Sequence, residues 1–471
     1  MTIQVNSTDV EIKKLEIRGA AGRYDLNPHI QELSIYENIF RPALTAKVVL
    51  SDSHNIPYKL PIVGEETVDI DISLTGFGDS NDSEVFSIKP PPFHVNSISA
   101  RTMEKPKAQR FTLDLISETY MSSVHSKISK SYNNKKISDI VSDIYLTYLS
   151  DDKKRLFVQS SEKTECIIIP NLNPLDAIAW LAKRAVPETS SGVNYLYYET
   201  INSSYFVSID SLVSEEPVYT FFQRPRVDDP TAVENVTAGI FKINNFQFIK
   251  QFDKIENTQR GVYASKLLTH DIVKKKITQY EYGGFNNWFS INHCGQFPPL
   301  SNSEVETHSS NVARTTYAPN EEANTSPSVT ERYLNNMVDS KVIFYPKHDQ
   351  MYCKNYGDLY DNKVEDWKLQ RYGHIGIYDG INILLEVSGI SGLRTGMVVD
   401  VLLPSPEVTD KDQKTDVEYD KFLSGKYIVT AIQHIFTKQE SNSRVVYNMK
   451  IEVSKDGLED AVSSRLSRKE N

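Results

Sequence analysis

The sequence predicts a mainly β chain with one α+β unit in its middle. Runs near both ends alternate apolar and polar residues with a period of two. A central stretch changes to helical spacing. The composition is globular and strand-leaning: 471 residues are 39% apolar, with 26 Tyr and ordinary Gly and Pro. A chain of this size can hold several domains and a core that needs no metal or disulfide.

Residues 1–118 read as strands. In VDIDISL, Val68, Ile70, Ile72 and Leu74 face one way, and Asp69, Asp71 and Ser73 the other. Phe111, Leu113 and Leu115 repeat the pattern in FTLDLIS, and LTAKVVLSD adds another strand. Such alternation gives a sheet one dry and one wet face. Strands spaced by turn clusters suggest an antiparallel barrel or sandwich. GFGDSNDS, from Gly76, reads as a hairpin tip, and Pro90, Pro91 and Pro92 stop regular pairing.

Residues 119–232 read as a mixed α+β unit. Ile137, Ile140, Val141, Ile144, Tyr145 and Tyr148 form one apolar helical stripe. A second helix starts at Asn173 as N-cap, with Pro174 in its first turn and Leu175, Ile178, Ala179 and Ala182 inward. NYLYYET, SYFVSID and VYTFF return to strands, and FQRPRVDDP, with Pro225 and Pro230, reads as a linker.

Residues 233–285 and 367–455 read as a second β unit. Met397, Val399, Val401 and Leu403 alternate, as do Tyr447, Met449, Ile451 and Val453. Strands are expected to resume at about Trp367. Between the two parts, 286–366 is a polar insertion with a short helix near Ser328. Residues 407–421 form a charged hairpin tip, and 456–471 a polar helix or tail.

Little in this chain points to chemistry. H-E-x-x-H, G-x-S-x-G, the P-loop and a Gly-rich dinucleotide fingerprint are all missing. His293, Cys294, His348 and Cys353 could in principle supply four zinc ligands, but no C-x₂-C pair exists and adjacent ligands rarely build a tetrahedral site. Scattered carboxylates and the Lys183–Arg184 pair read most simply as solvated surface. No catalytic, cofactor or metal residue is therefore assigned. The three cysteines, Cys166 included, are too few and too far apart for a secreted disulfide framework. No signal peptide and no spanning helix is expected, so the chain should be made in a cytoplasm and not insert into membrane by itself. A net charge of −10 disfavours nucleic-acid binding, which rests on Lys and Arg, yet suits a conduit that DNA passes without sticking. Asp69, Asp71 and Asp400 are the candidate wall acids.

Six segments, taken in order, resemble the central baseplate hub proteins of contractile-tailed phages, a family related to the N-terminal hub part of type VI secretion spikes. IQELSIYENIFRPALTAKVVLSDS (Ile30 to Ser53) looks like the family's first barrel. IIIPNLNPLDAIAWLAKRA (Ile167 to Ala185) and YLYYETINSSYFVSIDSL (Tyr195 to Leu212) are similar to its middle domain. GVYASKLLTHDIVKKK (Gly261 to Lys276), GISGLRTGMVVDVLLPS (Gly389 to Ser405) and LSGKYIVTAIQHIF (Leu423 to Phe436) resemble its second barrel. The likeness spans most of the chain and leaves out about 286–366 and the tail.

The resemblance implies two similar tube-type antiparallel β-barrels flanking the α+β domain. It implies a homotrimeric ring whose six barrels adapt a sixfold tail tube to a threefold cell-puncturing spike. Partners would be the trimeric spike protein, the tail tube or a tube-initiator protein, and the surrounding baseplate wedge proteins. DNA would pass through without specific binding, and the chain would reside in the virion baseplate. Two alternatives are the hub part of a type VI-like spike, which usually continues into a repetitive β-helix, and a tail-associated cell-wall hydrolase. Size-exclusion mass combined with a cell-wall hydrolysis assay separates them: the hub reading expects a trimer with no hydrolytic activity.

Overall fold

The computed structural model describes residues 9–74, 87–105, 108–149, 154–190, 192–223, 240–272, 275–283, 288–296, 340–347, 364–405, 419–439 and 444–459. The expected tips at 76–83 and 407–418, the 224–230 part of the linker, the helix near Ser328 and the tail from 460 lie outside these residues.

The N-terminal part carries β1 (Asp9–Gly19), β2 (Gly22–Asp25), β3 (Ile30–Asn38), β4 (Thr45–Asp52), β5 (Thr67–Leu74), β6 (Ser87–Ile88), β7 (Phe93–Lys105) and β8 (Ala108–Ser117). The middle carries β9 (Ile128–Lys136), β10 (Arg155–Val158), β11 (Thr164–Leu172), β12 (Tyr195–Glu199), β13 (Ser203–Ser208) and β14 (Tyr219–Phe222). The rest carries β15 (Ile243–Lys250), β16 (Ala264–Asp271), β17 (Lys276–Gly283), β18 (Val342–Lys347), β19 (Ile381–Ser388), β20 (Val398–Leu402), β21 (Gly425–Lys438) and β22 (Val445–Lys455).

One 14-stranded sheet gathers strands from both ends of the chain. Its order is β14-β20-β21-β3-β4-β8-β7-β5-β1-β22-β19-β15, with β21 also paired to β22 and with β2 and β6 on the flanks of β1 and β5. Alternation sets the register. Leu33 faces Val48, and Val48 faces Leu113, so apolar rows stack on one face. On the long C-terminal hairpin Ile432 faces Ile451 and Phe436 faces Tyr447, whose rings stack at 4.5 Å. The main core runs from Leu15, Leu33, Val48 and Leu113 to Leu385, Val401 and Val453, all buried.

The middle unit has its own core. β9 pairs β11, and β10-β13-β12 form a three-stranded sheet. Ile137, Ile140, Val141 and Ile144 of the Ile137–Ile144 helix pack with Ile178 and Leu181 of the Pro174–Ala182 helix and with Phe206. Asn173 holds the N-cap position with extended backbone, but its side chain makes no capping bond. Ala179 is exposed, contrary to the expected inward face, because Pro174, Ala177, Ile178 and Leu181 carry the buried stripe. β14 follows this unit in sequence yet joins the large sheet, parallel to β20.

Two further departures concern the C-terminal half. Where strands are expected from Trp367, residues Val364–Ile377 form a helix. Val364, Trp367 and His374 recur at helical spacing on its buried side, and Gly373 and Gly376 hide the pattern. Those glycines are required because a Cβ at either would overlap Tyr282 or Val262. The polar stretch 286–366 also contributes a strand. β18 pairs in parallel with β16, giving a separate sheet β17-β16-β18 that the helix covers through Leu267, Tyr282, Trp367 and Leu369. Among the described residues no helix is long and apolar enough to cross a membrane.

Gly389 donates its backbone N–H to the Tyr447 carbonyl at 3.1 Å, and a Cβ there would overlap the buried Tyr447 ring. Gly389→Ala should therefore destabilise the fold by roughly 1–3 kcal/mol, the usual cost of overpacking. Urea denaturation should show a lower midpoint with an unchanged slope.

Candidate functional site: a buried ionic junction and an exposed sheet face

Two carboxylates hold the middle unit to the large sheet. β12 alternates Tyr195, Tyr197 and Glu199 inward, so its last inward position is charged. Glu199 Oε1 accepts from Lys154 Nζ at 2.6 Å and Thr119 Oγ1 at 2.9 Å. Its Oε2 accepts from Ser117 Oγ at 2.7 Å and the Leu44 N–H at 3.0 Å. Leu44 precedes β4 and Ser117 ends β8, so this one side chain ties three segments together. Burial alone would raise the Glu199 pKa, but Lys154 and the hydrogen-bond donors outweigh it and hold the carboxyl below its usual value.

Glu37 does the same from β3, where it continues the inward row of Leu33 and Ile35. It accepts from the Ile201 N–H at 2.9 Å and the Thr395 N–H at 3.1 Å. Arg394 Nε lies 3.8 Å away and His434 Nε2 3.9 Å away. Here burial prevails over Arg394 and the backbone donors and raises the carboxyl. Burial, then the Arg394 charge, holds the His434 imidazole well below its usual value, so the ring is neutral at pH 7. Neither glutamate stands out by motif. The signal that could have found them is a charge sitting in phase with buried neighbours.

The residues nominated from sequence fall in separate places. His293 Nδ1 lies 2.6 Å from Asp456 and Nε2 2.5 Å from the Trp288 carbonyl, and its ring stacks on Trp288 at 3.7 Å. Cys294 is buried, its N–H donating to Asp456 at 2.9 Å, and burial pushes its thiol well up. The pair anchors the end of β22. His348 and Cys353 lie outside the described residues. Lys183 is exposed, while Arg184 stacks over Trp180 at 4.1 Å. Asp69 pairs with Lys14 at 2.7 Å and with Arg18, and Asp71 with Lys89 at 3.0 Å. Each of these two acids therefore has a cation beside it, which weakens any repulsive wall they could form. Asp400 is half-buried, and burial, then Glu459, raises its carboxyl.

Sequence reading missed one cluster with metal-ligand chemistry, His29, Asp52 and His54. Asp52 already accepts from the His54 and Ile56 N–H groups, each at 2.7 Å, and from Gln109 Nε2 at 2.8 Å. Its geometry is that of a turn brace into the Ile56–Lys59 helix.

The three-stranded sheet exposes several apolar residues on an outer face that also carries Lys266, Gln279 and Glu281. Leu268 of β16 faces Phe344 of β18, while His270 faces Ile277 of β17. Ile277, Val342 and Phe344 are 64%, 48% and 59% exposed. Nearby in sequence, β15 pairs only β19 among the described residues, and Ile249, Phe252 and Ile255 are exposed at its end. Apolar residues exposed on one sheet face mark a surface that another chain can cover.

No protein-family model matches the chain. A protein named as a probable baseplate hub protein of Vibrio phage KVP40 is 20% identical over 270 residues, 57% of this chain and 61% of that protein. The chain thus matches less than two thirds of that relative's length. Among solved structures, the tail protein from Neisseria meningitidis MC58 is similar at a TM-score of 0.50 and 10% identity, over 94% of this chain and 97% of that one. The 43 kDa tail protein of prophage MuSo2 from Shewanella oneidensis is similar at 0.48 and 10% identity, over 94% and 98%. The chain is baseplate-hub-like in sequence and tail-protein-like in fold.

Removing Lys154 leaves Glu199 charged and buried. Lys154→Met should cost about 3–5 kcal/mol at pH 7, and adding Glu199→Gln should recover part of it, because the amide keeps an acceptor without the charge. The depressed Glu199 pKa contributes stability above the ordinary carboxylate value, and that stability is lost as pH falls through the depressed value. Glu199→Gln alone should therefore make the acid limb of a pH–stability profile shallower, measured by urea midpoints at successive pH values.

Proposed function

We propose that this chain is the structural hub of a phage tail baseplate. In this reading three copies form a ring that adapts a sixfold tube to a threefold spike and lines part of the DNA conduit. The observation that carries it is the 270-residue match to a protein of that name, joined to a tail-protein fold.

The strand order supports a two-barrel arrangement. Following neighbours from β21 through β3, β4, β8, β7, β5, β1 and β22 leads back to β21. A second path, β15-β19-β22-β21-β20-β14, returns towards its start through the Phe222–Lys242 bridge. The first barrel would draw mainly on 1–118, the second on parts of 233–285 with 367–455, and both would lean on the β21–β22 hairpin. The 119–232 unit would sit beside them, locked by Glu37 and Glu199.

The role proposed is non-enzymatic. The buried acids Glu37 and Glu199 are each held by donors from separate segments and so serve structure. Spike, tube and wedge proteins would be the partners, and DNA would pass unbound. The exposed faces around Phe344 and Phe252 are the surfaces a neighbouring copy would cover.

Sedimentation velocity should give a species of three times the chain mass. Phe344→Asp combined with Ile277→Asp should shift it to monomer while circular dichroism stays unchanged. Monomer alone from the unaltered chain at micromolar concentration would sink the self-assembling trimer. Gold-labelling this chain in tail particles and locating it by electron microscopy tests the hub position itself.

A further inference from the structure

A cationic groove of about 520 Å³ lies where the middle unit meets the Val364–Ile377 helix. Lys183, Arg260, Lys341, Lys368 and Arg371 line it. This is an unusual concentration of one sign in a chain of net charge −10. Arg260 is neutralised, pairing with Asp379 at 3.0 Å and with Glu256. Arg371 is used by the fold, donating Nη1 to the Ala182 carbonyl at 2.8 Å and the Tyr195 carbonyl at 3.1 Å. Lys183, Lys341 and Lys368 have no carboxylate within ion-pair distance among the described residues. Two nearby acids are already engaged: Asp366 pairs with Lys163, and Glu365 with Lys347.

The lysines rest instead on rings. Lys341 and Lys368 lie 5.8 and 5.6 Å from the centre of Tyr372, and Lys368 lies 5.4 Å from Trp367. Such contacts offset only part of the cost of crowding like charges. Burial, followed by the charges of Lys183, Arg184 and Arg371, pulls the Lys368 ammonium below its usual value. Crowded cations with no anion form a site that gains from receiving one.

We propose that this groove is a docking site for a short acidic segment of a partner protein. Its carboxylates would meet Lys183, Lys341 and Lys368, and an apolar side chain would rest on exposed Tyr372 and half-buried Ile375. The volume falls in the range of ligand-sized pockets, roughly 300–1,000 Å³, which admits a few residues and not a folded domain. A nucleic-acid strand fits less well. Its backbone would run beyond the groove onto a surface whose overall charge is negative. The inference rests on these charges alone and does not depend on the hub reading.

The test is fluorescence anisotropy of the full chain with a fluorescein-labelled octapeptide alternating Glu and Leu. Saturable binding that weakens as NaCl rises is expected. Lys183→Glu/Lys368→Glu should weaken it at least tenfold, Lys341→Glu should weaken it independently, and Lys47→Glu, beside Asp114, should leave it unchanged. Circular dichroism of each variant checks the fold. Equal binding by the unaltered chain and both groove variants would overturn the proposal, as would equal loss in Lys47→Glu. Tighter binding of a duplex oligonucleotide of matched charge, lost in the same groove variants, would overturn it in favour of nucleic acid.

Discussion

The pairing of β21 with β22 is the constraint from which the large sheet grows. The two strands pair from Ile428–Ser454 to Lys438–Val445. β21 pairs outward to β3 and β20, and β22 pairs outward to β1 and β19. Strands from the N-terminal and the C-terminal parts of the chain are thereby locked into one hydrogen-bonded network. Because side chains alternate with a period of two, a one-residue slip in this hairpin would expel Ile432, Phe436, Tyr447 and Ile451 from the core together. The close approach of Gly389 to the Tyr447 ring fixes the same register from the side.

The middle unit is joined to that sheet by buried carboxyl groups as well as by apolar packing, with Ile209 and Val213 against Ile428. Glu199 and Glu37 reach donors from segments far apart in sequence, and each carboxylate is buried. Ion pairs of this kind add little net stability, since desolvation offsets most of their attraction. What they supply is orientation. A misplaced junction leaves a bare charge in a dry site, which costs far more than a misplaced methyl group.

The surface separates two kinds of contact. The apolar residues of β17 and β18 face outward on one sheet, where burial by another chain would be favourable. The lysines beside the Val364–Ile377 helix form a small positive island in an acidic molecule, where recognition would depend on charge and on salt. These two surfaces follow from one local device, the helix that packs on β16 and β17 through Tyr282 and Trp367. It covers one side of the small sheet, leaves the other bare, and lifts Lys368 and Tyr372 towards solvent.

The amino-acid order by itself determined the strand-rich class, the inward rows of β5, β8, β20 and β22, and the apolar stripe of the Ile137–Ile144 helix. These are periodic features, and period two or 3.6 is written directly into the apolar pattern. It also carried the resemblance to a hub family, in line with the 20% identity over 270 residues to a protein named as a probable baseplate hub protein. Only the tertiary structure decided which strands meet. β3 beside β21, β18 beside β16 and β14 beside β20 join residues hundreds or tens of positions apart, and no local pattern encodes a partner. The same holds for Glu37, Glu199 and the lysine groove. A lone charge in a sequence looks solvated, and it becomes a lock or a docking site only when folding removes the water around it and brings its neighbours within a few ångströms.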